Sequence, residues 1–169
     1  AEHVAGSTEA FVEMMNARAK ELGLNDTTFV NVHGLPPSKG QEENYTSAHD
    51  MAMLGRELLK HSKVLEWTSA VEDTFRNGTF TLTNTNRELI MKYPGVDGLK
   101  TGFHSGAGFN VCATVQRDDL RMIAVVDVRA AGGVSGQRGD EVEPLLLAAE
   151  RQCVDADAHA RDGDVDRGE

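Results

Sequence analysis

Three extended stretches lie between Gly95 and Val128, with no room for a helix between the last two. Phe109 to Gln116 and Leu120 to Val128 are rich in strand-forming residues and are separated only by Arg117-Asp118-Asp119. A parallel crossover needs on the order of a dozen residues, so these two stretches have to pair antiparallel. Gly95 to Phe103 precedes them as another strand. Farther upstream, Val71 to Arg76 and Thr79 to Thr83 flank Asn77-Gly78, the dipeptide favoured in type I′ hairpin turns. The strands therefore come in hairpins, which excludes a fold built from βαβ units.

Helical spacing dominates the first part of the chain. Ser7 is placed to cap a helix with Phe11, Met14, Met15 and Leu22 on one stripe, ended by Gly23. Asn25 to Asn31 reads as a turn and a short extended piece, and His33 to Asn44 as a loop. Ser47 followed by Asp50 forms a capping box of the weaker Asp type, ahead of a helix carrying Met51, Leu54, Leu58 and Leu59. Val64 to Trp67 predicts a further short helix. Asn84 and Asn86 are expected to form a turn, and Met14, Met15, Met51 and Met53 to sit in or beside the core. A loose glycine-rich stretch, Ala130 to Gly139, leads into a closing helix over Asp140 to Arg151. Helices, then antiparallel strands, then a helix make an α+β domain whose sheet is covered by helices. The expected division is one domain over 1–150 and an acidic tail over 151–169, which lacks a hydrophobic pattern and is expected to be disordered.

Charge and composition exclude several functions. The 169 residues carry a formal net charge of −10, the wrong sign for binding nucleic acid. Two cysteines, Cys112 and Cys153, make neither a disulfide framework nor a metal motif. His33, His49, His61 and His104 lack ligand spacing, so no metal is expected, and His33 is assigned to holding its own loop. Gly98-Leu99-Lys100-Thr101 is not a phosphate loop, and no cofactor is expected. Ala1-Glu2-His3-Val4 has neither the basic nor the apolar region of a signal peptide.

The chemistry-bearing motif is Lys100-Thr101-Gly102, on the strand after Pro94. A Lys-Thr-Gly strand is one of the signatures shared by penicillin-binding proteins and class A β-lactamases. Other segments extend the likeness in order: Ala1 to Asn16, His33-Gly34-Leu35, Tyr45 to Ala52, Asn84-Thr85-Asn86, Val96 to Gly102, Ala107-Gly108-Phe109 and Arg121 to Val126. Together they resemble serine-type D-alanyl-D-alanine carboxypeptidases, the low-molecular-mass penicillin-binding proteins, from Ala1 to about Ala149. The resemblance implies a β-lactamase/transpeptidase-like domain and a peptidoglycan stem peptide ending in D-Ala-D-Ala as substrate. It implies hydrolysis through an acyl-serine, β-lactam antibiotics as inhibitors of the complete enzyme, and a place outside the cytoplasmic membrane.

By the same resemblance, Lys100 supplies a cation to the cleft and Thr101 a hydroxyl to the substrate carboxylate. Gly102 lets a peptide lie against the strand, and the backbone N–H of Phe103 is half of an oxyanion hole. Arg138 is aligned with an arginine that helps bind the terminal carboxylate. His104, two residues after Gly102, is a titratable group at a position that bears on substrate fit. The nucleophile motif Ser-x-x-Lys and the Ser-x-Asn motif do not occur in these residues. The resemblance places both ahead of Ala1, together with the first strands of the sheet, so the chain is expected to be a fragment that is inactive alone. Two other readings stay open: a class A β-lactamase relative, and a non-catalytic module that keeps the peptide groove without the serine. The matches over residues 1–16 and 84–110 favour the carboxypeptidase.

Overall fold

The computed structural model describes residues 1–36, 38, 40 and 42–128, together with the backbone of 154–155. The expected closing helix, the glycine-rich stretch with Arg138, and the rest of the acidic tail lie outside the described residues.

A short helix α1 (Glu2–Ala5) ends at Gly6 and is followed by α2 (Thr8–Glu21). The Ser7 hydroxyl accepts the Ala10 N–H at 3.1 Å, so the predicted cap is in place. Ala19 on α2 and Leu24 just past its end are buried, but Met14 is 52% exposed. The buried stripe is thus rotated away from Met14, because the helix presents its small residue, not its thioether, to the interior.

Asparagine side chains fix the long segment that follows. Asn16 on α2 donates to the Phe29 carbonyl and accepts the Phe29 N–H, at 2.7 and 2.8 Å. Asn44 Oδ1 accepts from the N–H groups of Val30 and Asn31. Thr28 and Tyr45 form an isolated antiparallel bridge between these anchors. His33 Nδ1 accepts the Leu35 N–H at 3.0 Å, the loop-holding role read from the sequence.

Ser47 caps α3 (Ala48–Leu58) by accepting the Asp50 N–H at 3.1 Å. The reciprocal half of the capping box takes another form. The Asp50 carboxylate is buried and accepts from the Asp26 N–H and the Thr27 hydroxyl, at 2.9 and 2.7 Å. A side chain that could have served its own helix ties that helix to the turn that follows α2. Burial pushes the Asp50 carboxyl up, but hydrogen bonds from Thr27, Asp26 and His49 outweigh it and hold the group below its ordinary 3.8. Leu58, assigned to the apolar face of α3, is 42% exposed at the last turn.

Helix α4 (Ser62–Thr68) leads to a separate two-stranded hairpin of β1 (Glu72–Phe75) and β2 (Phe80–Thr83). Asn77 and Gly78 have φ of 57° and 82°, and the Thr79 N–H reaches the Arg76 carbonyl at 3.3 Å. That is the sign of φ a type I′ turn requires. Regular pairing stops one residue earlier than expected, at Phe75 opposite Phe80, because Arg76 is also left-handed, with φ 54°.

The turn expected at Asn84 and Asn86 is in place, and an additional helix not read from the sequence, α5 (Arg87–Lys92), follows it. Asn84 builds its start. The Asn84 side-chain N–H groups donate to the carbonyls of Thr68 and Ala70, and its Oδ1 accepts the Asn86 N–H. Leu89 anchors the helix in the interior. Pro94 lies just beyond its end, where a following proline disfavours helical backbone.

The main sheet is antiparallel, in the order β3 (Val96–His104), β4 (Gly108–Arg117), β5 (Leu120–Val128), β6 (Val154–Asp155). Arg117 pairs with Leu120 across a two-residue turn, as its length dictates. Gly95 opens the sheet with φ 91°, and a Cβ there would run into the Gln116 carbonyl oxygen. Helix α3 lies over β4 and β5, while α4 and α5 pack against β3. Ala52, Leu99, Cys112 and Ile123 form the core beneath α3, flanked by Leu59, Val64, Leu65 and Val125. Burial pushes the Cys112 thiol up to about 11, so this cysteine is an inert small hydrophobe.

Candidate active site

The Lys-Thr-Gly stretch sits on β3, which is the edge strand of the main sheet among the described residues. Two constraints fix its position. Leu99, immediately before it, is buried in the core, and the strand is registered to β4 through Lys100 opposite Cys112, Thr101 opposite Val111 and Gly102 opposite Asn110. At its start, the Thr68 hydroxyl on α4 donates to the Asp97 carbonyl at 2.9 Å. A buried neighbour on one side and a laddered neighbour along its length leave the outer edge of β3 as a fixed backbone template.

Along that edge the chemistry changes residue by residue. The Lys100 side chain is exposed, and its ammonium donates to the Thr101 carbonyl; no acidic side chain among the described residues forms an ion pair with it. Thr101 is half-buried, with its hydroxyl oxygen 2.9 Å from that of Thr85. At Gly102, a Cβ would meet nothing within 4 Å, so the glycine leaves open space beside the strand. Phe103 is 63% exposed and stacks on Phe109 of β4, with ring centroids 4.3 Å apart and planes at 29°.

His104 turns toward its own hairpin. Its Nδ1 accepts the N–H groups of Gly106 and Ala107, at 3.1 and 3.3 Å. That arrangement needs an unprotonated Nδ1 and holds the ring against the β3–β4 turn. Ser105 is exposed in the same turn. Arg138, expected to join this site, lies outside the described residues.

One residue beside the motif was not singled out from the sequence. Thr85 belongs to Asn84-Thr85-Asn86, which was read as a turn, yet its hydroxyl is the side-chain partner of Thr101. The turn chemistry of Asn84 and the family likeness of the tripeptide mark the segment, but neither says which strand Thr85 will meet. Among the described residues, the assembled edge offers a cation, a pair of hydroxyls, and an extended backbone that nothing covers. Such a set is suited to an anionic group at the end of an extended peptide.

A family model described as D-alanyl-D-alanine carboxypeptidase, peptidase S11, matches residues 1–129. The chain is 46% identical over 129 residues to D-alanyl-D-alanine carboxypeptidase DacF of Bacillus subtilis, covering 75% of this chain and 32% of that one. It is 43% identical over 126 residues to D-alanyl-D-alanine carboxypeptidase DacC of Escherichia coli, covering 75% and 30%. The chain thus spans about a third of the length of these relatives. Among solved structures, penicillin-binding protein 6B of Escherichia coli superimposes with a TM-score of 0.69 at 40% identity, over 90% of this chain and 45% of that one. Penicillin-binding protein D2 of Listeria monocytogenes, in its cefotaxime-bound form, gives 0.67 at 34% identity, over 83% and 55%. The antiparallel sheet with its helical cover is therefore the penicillin-binding, transpeptidase-type fold, and the chain belongs to the D-alanyl-D-alanine carboxypeptidase family.

Proposed function

We propose that this chain supplies the substrate-binding strand of a serine-type D-Ala-D-Ala carboxypeptidase acting on peptidoglycan stem peptides. The observation that carries this reading is the outer edge of β3, unpaired among the described residues, where Lys100, Thr101 and the open Gly102 follow one another. The peptide lies along that edge as an added strand, and Gly102 admits it. Thr101 donates to the terminal carboxylate, and Lys100 contributes positive charge and assists proton transfer. The backbone N–H of Phe103 donates to the oxyanion. The His104 ring, fixed on the 105–107 turn, bounds the far end of the subsite, and Arg138 adds a second cation for the carboxylate.

In the reaction, a serine hydroxyl attacks the carbonyl between the two D-alanines. The terminal D-alanine leaves with a proton on its nitrogen, and water then hydrolyses the serine ester. No Ser-x-x-Lys or Ser-x-Asn motif is present in these residues, so that serine comes from sequence outside them. β-Lactams, which present a carboxylate beside a reactive carbonyl, inhibit the complete enzyme at the same place. The substrate class sets the site of action outside the cytoplasmic membrane. Among the described residues, no helix is long and apolar enough to cross a membrane.

The test is a titration of the isotopically labelled chain with an acetylated tripeptide ending in D-Ala-D-Ala, followed by amide NMR. Shifts centred on Thr101, Gly102 and Phe103, absent with the L-Ala-L-Ala isomer, are the expected result. Shifts elsewhere, or equal shifts with both isomers, would overturn the assignment.

A further inference from the structure

The geometry points to Thr85 as a positioning residue that sets how the Thr101 hydroxyl is used, and so as a determinant of carboxylate recognition. This inference rests on the proposed role of β3 and adds to it a residue from a different element.

A threonine hydroxyl has one proton to give and two lone pairs to receive. Thr85 Oγ1 and Thr101 Oγ1 are 2.9 Å apart, a hydrogen bond in which either can be the donor. The two orientations are not equivalent for a ligand. If Thr101 donates to Thr85, its proton is occupied and it presents only lone pairs, which repel an anion. If Thr85 donates, Thr101 keeps its proton for the carboxylate, and the acceptance polarises that O–H further. An arriving carboxylate selects the second orientation, giving the chain Thr85 O–H to Thr101 O–H to carboxylate.

Thr85 is held for this task more firmly than an exposed turn residue needs to be. Its neighbour Asn84 accepts from the Asn86 N–H at 2.8 Å and donates to the carbonyls of Thr68 and Ala70 at 3.0 and 2.8 Å. The Asn84 N–H donates to the Val71 carbonyl at 2.9 Å, and its carbonyl accepts the Arg87 N–H at 3.0 Å. On the other side, Asn86 is buried. The backbone on both sides of Thr85 is therefore pinned, while its own side chain has Thr101 as its hydrogen-bond partner. Thr101 is fixed in turn by the β3–β4 ladder. Two rigid supports hold the hydroxyls in register before any ligand arrives, which lowers the ordering cost of binding.

The experiment measures dissociation constants for two ligands on the full chain: the D-Ala-D-Ala tripeptide and the same tripeptide as its C-terminal carboxamide. The variants are T85V, T85S, T101V and the double variant T85V/T101V. T85V is expected to weaken the carboxylate ligand about five- to tenfold and to leave the carboxamide nearly unchanged. T85S restores wild-type preference, and the double variant is no weaker than T101V alone, because the two residues act as one unit. If T101V erodes the preference for carboxylate but T85V does not, the Thr85 assignment is wrong while the strand assignment stands. If the wild-type chain itself does not prefer the carboxylate, both are wrong. A uniform weakening of both ligands by T85V, not rescued by T85S, would reduce Thr85 to a structural residue and overturn the inference.

Discussion

Arg121 on β5 reaches Asp97 on β3 past the strand between them. Its two terminal nitrogens lie 2.9 and 2.8 Å from the two carboxylate oxygens, and one of them also donates to the Thr114 hydroxyl of β4 at 2.8 Å. Thr114 is fully buried, and the two charged side chains are only 21% and 23% exposed. One guanidinium therefore staples three strands together, three residues ahead of Lys100. A bidentate pair of this kind fixes direction as well as distance.

Removing one partner leaves the other charge partly buried and uncompensated. R121M or D97A is expected to cost about 1–3 kcal/mol of stability, between the values for exposed and for fully buried pairs. Urea denaturation followed by circular dichroism measures it. A midpoint equal to that of the wild type would show that the staple contributes nothing.

Asp50 makes a prediction with a definite sign in pH. Its carboxyl is held below its ordinary 3.8 in the folded chain, so the ionised form is favoured by folding. Its contribution is fully present above the unfolded value and is lost as pH falls through the lowered folded value. D50N is thus expected to be destabilised by about 1–3 kcal/mol at neutral pH. The gap to wild type should close progressively as pH drops below about 4, the ordinary carboxylate range. Melting temperatures of both proteins across pH 2.5–7, on the order of the range where carboxylates titrate, check this. A gap that widens in acid contradicts it.

Two glycines of the same region separate folding from binding. At Gly102 an added methyl group meets open space, whereas at Gly95 it collides with the Gln116 carbonyl in a left-handed backbone. G102A is expected to keep wild-type stability within about 0.5 kcal/mol and to lose most binding of the D-Ala-D-Ala peptide. G95A is expected to lose more than about 1 kcal/mol. Thermal melts and peptide titrations on both variants test the contrast, and normal binding by G102A would argue against a peptide lying along this edge.

Fluorescent penicillin should not label the chain covalently. The exposed Ser105 lies in a turn beside His104, but His104 Nδ1 is already occupied by the Gly106 and Ala107 N–H groups and is not available to it through that atom. Stoichiometric labelling in a gel, stable to denaturation, would reveal a nucleophile within these residues and sink the proposal that the serine comes from elsewhere.

Much of the fold was legible because it depends on near neighbours. Ser7 and Ser47 cap helices through N–H groups three residues on, and Asp118-Asp119 and Asn77-Gly78 leave their flanking strands no arrangement except antiparallel. Helix α5 was missed because its start depends on Asn84 bonding to Thr68 and Ala70, well back in the chain. Met14 was misplaced because periodicity gives a stripe but not which part of it meets the sheet. At the site, Lys100, Thr101 and Gly102 were visible as a motif with roles, whereas Thr85 stood in a family-like tripeptide with no role given to it.

By itself, then, the sequence determined the antiparallel pairing, the starts of α2 and α3, and the family. These follow from turn length, capping and ordered motifs, which act locally or in simple order along the chain. Tertiary structure alone decided that Asp50 would hold Asp26 and Thr27 in the turn after α2 and that Arg121 would hold Asp97, 24 positions away. It also decided that Thr85 would meet Thr101 across 16 positions, the contact on which the inference about carboxylate recognition depends. Such pairings depend on strand register and on how helices seat against the sheet. The composition of a segment is compatible with many partners, and only packing of the whole domain selects one.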